Sequence, residues 1–373
     1  MRIVISGAGI AGLTLAALLA RQGHDVLVVE KNPRSVGRGY GLALWPHGSR
    51  VLHAVGAYDG LVARSAEMVR YTALGAHGDV LMSSPLPRQV RERGHLGILP
   101  RGDLLALLEG AAAGCAVRHG TTIASVHQDR EGVTVRLDDG STQQADVLVG
   151  AEGIGSPTRR RLPGRSRRSD TGWSCLVWWA DAALARPGDV VERWGAGSFL
   201  GTYPCRDRLC VIVGAPTRRI QATGRGAAAA EIVGEHGLAD PRWTDGLHEA
   251  PALWRMSDVR AARWTHGRTA LVGDAAAAFL PTAGIGASMA LESAAALADE
   301  LSRSDAASAP HALALYERRR RHRTERAQTL SRRLARLTFV ESRAGAAFRD
   351  ALTRLSGIDT LTGPLLRDLA RPV

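Results

Sequence analysis

Residues 2 to 30 read RIVISGAGIAGLTLAALLARQGHDVLVVE. The stretch divides into a short apolar run, RIVIS, a glycine turn, GAGIAG, a helical pattern, LTLAALLARQG, and a second apolar run, HDVLVVE. Strand, turn, helix and strand in that order imply a crossover between parallel strands. Gly7, Gly9 and Gly12 carry the spacing of a dinucleotide-binding turn. The first permits the tight turn, the second lets the backbone approach a pyrophosphate, and the third lets helix and sheet pack closely. The helix N-terminus offers free N–H groups and a partial positive charge to phosphates. Glu30 ends the second run, where a carboxylate can accept the hydroxyls of an adenosine ribose and repel a 2′-phosphate. A bare glycine triplet is a weak signal; both strands and the acid in place make it specific.

The chain has 373 residues, more than one ordinary core accommodates, so two lobes are expected. Hydrophobic residues make up 45% and charged residues 23%, in the range of globular proteins. No apolar run is long enough to span a membrane, and the register of the three glycines argues against a secretory leader at the N-terminus. Cys115, Cys175, Cys205 and Cys210 lack CxxC spacing and read as reduced thiols, which points to the cytoplasm. No ligand constellation suggests a metal. The net charge is +12, yet Lys31 is the only lysine among 48 basic residues, a bias that fits GC-rich codon usage better than phosphate binding. The densest run, YERRRRHRTERAQTLSRRLAR at 316 to 336, interleaves arginines with Leu330 and Leu334, and Leu337 follows. It reads as a solvated helix face over a thin apolar stripe, the rival reading being a nucleic-acid or anionic-surface contact.

Further along, TTIASVHQ, VTVRLDD and ADVLVGAEG suggest a sheet meander with a hairpin turn at DDG, 138 to 140. Residues 174 to 216 are strand-like, aromatic and punctuated by Gly and Pro, so they suit a pocket wall as well as a plain second core. Beyond residue 285 the pattern is helical almost to the end.

Four stretches, in order, resemble single-component FAD-dependent aromatic hydroxylases of the para-hydroxybenzoate hydroxylase type. They are GAGIAGL with Glu30, GLALWPHGSRVLHAVG at 41 to 56, LPRGDLLALL at 99 to 108 with DVLVGAEGIGSPTR at 146 to 159, and LVGDAAAAFLPTAGIGASMALES at 271 to 293. The resemblance implies an α/β fold: a Rossmann-type FAD-binding domain, an inserted mixed β-sheet substrate domain and a helical C-terminus. The expected FAD-binding domain comprises 1–70, 96–165 and 256–340, the substrate-binding domain 71–95 and 166–255, and the C-terminal helical segment 341–373. Arg101 would contact the cofactor near its phosphates, Glu152 and Gly153 would lie near its middle, and Asp274 would bond a ribityl hydroxyl. Gly284 and Gly286 would let the backbone touch the isoalloxazine, and Pro281 would fix the approach of the chain. Ala11, Lys31, Arg38, Gly41, Ala287 and Ser288 complete the expected FAD contacts. Trp178, Trp194, Phe199 and Tyr203 are candidate substrate walls, and His47 a candidate catalytic group.

The implied activity is hydroxylation of an aromatic or other electron-rich small molecule by dioxygen through a flavin hydroperoxide, with NADPH or NADH as electron donor. The setting would be natural-product tailoring or aromatic catabolism, and the protein a monomer or homodimer. Two positions depart from the family: Glu152-Gly153 replaces Asp-Gly, and Ala277 stands where a histidine is usual. A flavin halogenase would need a suitably placed lysine and a Trp-x-Trp-x-Ile-Pro segment; Lys31 follows the ribose acid, and VWWAD does not match. A flavin oxidase or dehydrogenase on the same fold is the standing alternative, and a basic nucleic-acid-binding module a remote one.

Overall fold

The computed structural model describes residues 1–33, 39–248 and 251–355. Its first sheet has six strands, ordered Thr265–His266, Thr269–Leu271, Val147–Gly150, Arg2–Ser6, Asp25–Glu30 and Ala116–His119. All neighbours are parallel except the first pair, a short hairpin. The central strands are apolar on both faces because both faces are covered, as parallel sheets require. Ile3, Ile5, Val26 and Val28 pack with helices Ile10–Arg21 and Gly286–Ser302. Val4, Val29 and Leu148, on the opposite face, pack with Ile123, Val133, Val135 and Leu137 of a three-stranded meander.

That meander differs from the expectation in its third strand. Thr142–Ala145 completes it, whereas Val147–Gly150 turns away and pairs parallel to Arg2–Ser6. The continuous apolar run VLVG suits a strand buried on both faces, while TQQA alternates.

The second sheet has eight strands: Ala277–Ala278, Ala252–Arg260, Arg167–Asp181, Arg208–Pro216, Phe199–Pro204, Asp189–Trp194, Arg70–Gly75 and Val80–Pro85. It is mixed, since Asp189–Trp194 runs parallel to Arg70–Gly75 and the other pairs are antiparallel. Residue 256, the expected domain boundary, falls inside strand Ala252–Arg260. Helix Arg225–Glu235 covers one face through Ala228, Ala229, Ile232 and Val233. The other face looks toward the first sheet.

Helix Ala309–Thr338 contains the arginine run and fastens the two lobes. Leu330 and Leu334 do pack as part of an apolar stripe. The arginines, however, are not simply a solvated face. Arg320 is fully buried against Glu292, Arg323 reaches the same carboxylate, Arg332 pairs with Asp258, and Arg319 with Asp299 and Glu300. Gln328 donates to the carbonyls of Val259 and Ala278 in the second sheet. A further helix covers 343–355, and the remainder of the expected 341–373 segment lies outside the described residues. No helix among the described residues is long and apolar enough to cross a membrane.

Candidate active site

A cleft of about 750 Å³ lies between the two sheets. Two remote parts of the chain meet in its wall. Gly7, Gly9 and Ala11 come from the first turn, and Asp274, Pro281, Gly284, Gly286 and Ala287 from the segment after strand Thr269–Leu271. They meet because their strands flank Val147–Gly150 on either side. The fit is tight: a methyl group on Gly273, whose φ is +60°, would approach Ala11 Cβ to 2.7 Å. Gly7, at φ +109°, abuts the Ala151 carbonyl, where a Cβ would come within 2.5 Å of the oxygen. Gly9, in contrast, has nothing within 4 Å of a would-be Cβ and faces the open cleft. No side chain caps helix Ile10–Arg21 or helix Gly286–Ser302, and neither has an acidic residue in its first turn. Two helix N-termini therefore present uncapped N–H groups and positive dipole ends to one cavity.

Glu30 also lines the cleft. Its oxygens accept one N–H each, from Ala8 at 2.8 Å and Asn32 at 2.9 Å, which leaves about half of its four acceptor positions for hydroxyls. Glu152 lines the cleft as well, but its longer side chain folds back to accept from Ser156 Oγ at 2.6 Å and from Thr158 Oγ1. Asp274 lies on the cavity wall with its side chain exposed to the cleft. Desolvation by the surrounding protein pushes its pKa up to about 6, against the pull of Arg101 and Arg159. Arg159 is buried and donates to the Ala275 carbonyl at 3.0 Å, tying the loop after Val147–Gly150 to the segment that carries Asp274. Among the described residues no group of three His, Cys, Asp or Glu side chains is placed to hold a metal.

Residues 1–331 match the family of FAD binding domains. The 3-amino-4-hydroxybenzoate 2-monooxygenase of Streptomyces cremeus is 30% identical over 90% of this chain and 87% of its own. The 2-heptyl-3-hydroxy-4(1H)-quinolone synthase of Pseudomonas aeruginosa is 30% identical over 95% and 94%. The chain is a member of the FAD-dependent aromatic monooxygenase family. Its fold matches that of Klebsiella pneumoniae HpxO complexed with FAD and uric acid, with a TM-score of 0.88 at 21% identity, covering 99% of this chain and 96% of that one.

For a flavoprotein of this family, the residues present suit the cofactor. The uncapped helix ends and the open space at Gly9 fit anionic phosphates, and Glu30 fits hydroxyls. Of the expected FAD contacts, Gly7, Gly9, Ala11, Glu30, Lys31, Gly41, Arg101, Glu152, Gly153, Asp274, Pro281, Gly284, Gly286 and Ala287 all line the cleft. Gly12 and Ser288 do not. Gly12 sits behind the wall, where its Cβ would lie 1.9 Å from the Gly7 carbonyl oxygen. The buried Ser288 hydroxyl accepts from Trp45 N at 2.9 Å and packs on Gly48. Arg38 lies outside the described residues.

Three other expectations need correction. His47 does not reach the cleft: helix Pro46–Ala54 packs on helix Gly286–Ser302 and buries the imidazole near Glu292, Arg323 and Arg320. Burial lowers its pKa to about 4, so the ring is neutral, and it is not among the residues that line the cavity. Trp178 faces the covered side of the second sheet, where Nε1 donates to the Trp243 carbonyl at 2.9 Å. Trp194 is buried beyond the cleft wall. Phe199 and Tyr203 do line the cleft, with Trp254, Met256 and Glu192 beside them. Sequence reading passed over Arg159, Tyr40 and Glu192. Tyr40 packs edge-on against Trp254 at 4.0 Å and joins the lobes, and the one advance signal for Arg159 was its place in SPTR.

The raised pKa of Asp274 has a stability consequence. Between an unfolded pKa near 4 and a folded one near 6, the native state binds more protons. Stability therefore falls as pH rises through that window, and the cost is fully present above it. Asp274→Asn is expected to stabilise the flavin-free protein at pH 7 but not at pH 4, while lowering its retention of FAD. Urea unfolding at the two pH values, with flavin content measured in parallel, checks both signs; an equal effect at the two pH values contradicts the assignment.

Proposed function

We propose that this protein is an NADH- or NADPH-dependent hydroxylase of an aromatic or other electron-rich small molecule, acting in natural-product tailoring or aromatic catabolism. The observation that supports it best is the pair of uncapped helix N-termini, from residues 10 and 286, opening on one cleft whose facing wall is an apolar sheet. Bound FAD would accept hydride from the nicotinamide and activate dioxygen, one oxygen atom entering the substrate and the other leaving as water. The chain's own part is positioning and electrostatics. The first turn and Arg101 would hold the phosphates, Glu30 a ribose, and Asp274 a ribityl hydroxyl. The N–H groups at Gly286 and Ala287 would stabilise negative charge on the ring. Phe199, Ile212, Met256 and Phe279 line the cleft and would exclude water from the reacting centre. Because Glu152 is engaged by Ser156 and Thr158, it would act as a brace for the turn rather than as a free charge in the cleft.

The relatives are named for a benzoate in one case and a quinolone in another, both aromatic rings. The purified protein is expected to release FAD on denaturation and to consume oxygen with NADH or NADPH faster when a phenol or heteroaromatic substrate is added. Labelled dioxygen is expected to place one atom in the product. Reduction of the flavin by substrate without nicotinamide would instead identify an oxidase.

A further inference from the structure

Of the side chains that the eight-stranded sheet turns into the cleft, Glu192 is the only charged one among the described residues. Three donors hold its carboxylate. Tyr71 Oη donates to Oε2 at 2.6 Å, Trp194 Nε1 to the same oxygen at 3.1 Å, and Tyr203 Oη to Oε1 at 2.8 Å. The grip is built into the strands. Asp189–Trp194 pairs with both Arg70–Gly75 and Phe199–Pro204, which brings the two tyrosines to either side of the acid. Tyr203 can lie back across its strand because residue 201 is glycine; a Cβ there would come within 2.6 Å of the Tyr203 hydroxyl.

No cation among the described residues answers this carboxylate. Lys31 and Arg101 are the only described cations lining the cleft, and both belong to its dinucleotide side, Arg101 acting on Asp274. Arg193, next in sequence, points to the opposite face near Gly78 and His236. Arg349 stacks over Trp194 but pairs with Asp350 and donates to the carbonyls of Trp194 and Gly195. A carboxylate has about four acceptor positions, and three are taken. The vacant one is on Oε1, and the residue borders the cavity.

We propose that Glu192 is the specificity element of the substrate site, selecting uncharged aromatic substrates that bear an N–H or O–H donor and rejecting aromatic carboxylates. This rests on the monooxygenase reading only in taking this end of the cleft as the substrate end. A donor placed at Oε1 forms a charge-assisted hydrogen bond, while a substrate carboxylate meets like charge in a poorly solvated pocket. At roughly 5 Å and an effective dielectric near 20, that repulsion corresponds to a factor of about 10² to 10³ in affinity. Burial raises the pKa of Glu192, offset in part by Tyr71, Tyr203 and Trp194 in that order.

Three probes on one ring test this with the FAD-loaded protein, binding being read from tryptophan fluorescence. They are 4-quinolone, its N-methyl derivative without the donor, and 4-quinolone-2-carboxylate. The parent is expected to bind about tenfold or more tighter than the methylated probe and about 100-fold or more tighter than the carboxylate. Glu192→Gln is expected to shrink the second ratio at least about tenfold, with FAD content reporting an intact fold. Equal or tighter binding of the carboxylate, an unchanged ratio in Glu192→Gln, or binding of none of the probes would each overturn the proposal. The three wild-type affinities decide it alone should E192Q fail to retain FAD. Oxygen uptake with NADH or NADPH is a separate measurement, so a selective protein that never oxygenates would sink the hydroxylase reading and leave the recognition standing.

Discussion

Gly9→Val is expected to fold like the wild-type protein and emerge from purification colourless, whereas Gly12→Ala is expected to be strongly destabilised. The two glycines are three residues apart and serve opposite purposes. Gly9 is the N-cap of the first helix at φ −83° and ψ −174°, a conformation open to any residue. A side chain there meets no protein atom within 4 Å and projects where the helix N–H groups face the cleft. Its stability cost should be about 1 kcal/mol, that of exchanging a glycine N-cap for an apolar one. FAD affinity should fall on the order of 100-fold or more, because the valine occupies the space a pyrophosphate needs to reach the backbone. At Gly12 the first added atom lands 1.9 Å from the Gly7 carbonyl oxygen. That oxygen cannot retreat: Gly7 is held at φ +109°, and its N–H donates to the Val29 carbonyl at 2.7 Å. The helix would have to leave the sheet, at a cost of about 3 kcal/mol or more. Thermal unfolding together with flavin absorbance separates the cases. A yellow Gly9→Val protein would remove the phosphate role of this turn.

Glu292→Ala should destabilise the protein by about 3–5 kcal/mol, the range for breaking a buried ion pair by deleting one partner. Glu292 accepts from Arg320 at 2.8 Å and from Arg323 at 2.8 and 3.2 Å, and Arg320 is fully buried. The Nε and one terminal nitrogen of Arg320 already lack a protein partner, so losing the carboxylate strands a cation in the core. Glu292→Leu should destabilise likewise, and adding Arg320→Leu to it should recover most of that loss, because the pair's mutual attraction does little more than offset its desolvation. Urea unfolding of the single and double variants measures this. The same helix ends at Thr338, which with Phe339 lines the cleft, so the loosened single variant should also bind aromatic probes more weakly. A neutral Glu292→Ala would show that the arginine run is held by its apolar stripe alone.

The arginine run shows how charge misleads when read along a line. In sequence it is a cationic stripe; in the fold, Glu292 of helix Gly286–Ser302 meets Arg320 and Arg323, and Asp258 of strand Ala252–Arg260 meets Arg332. His47 misleads in the same way. Its motif was legible, but whether the ring turns toward the cleft depends on how helix Pro46–Ala54 sits on Ser288, through a contact at Gly48 that no local pattern encodes. The aromatic insert suits a pocket wall and a second core alike, and its faces are not legible in sequence. Both sides of the eight-stranded sheet are covered, so hydrophobic alternation cannot say which parity looks into the cleft. Phe199 and Tyr203 fell on one side and Trp178 on the other. Glu192 did carry a faint signal, an acid in the interior of the strand DVVERW, but its meaning depends on tyrosines 121 and 11 residues away.

By itself the sequence determined the dinucleotide turn, the parallel α/β core and the family, because those rest on short-range requirements. Glycines are needed where backbone meets backbone, an acid at a strand end, and apolar runs where a sheet is covered twice. Tertiary structure alone decided which side chains share the cleft, how its charges are answered, and what its substrate wall can recognise. Those properties depend on register and on contacts between distant segments, and a strand shifted by one residue would exchange every one of them for the opposite face.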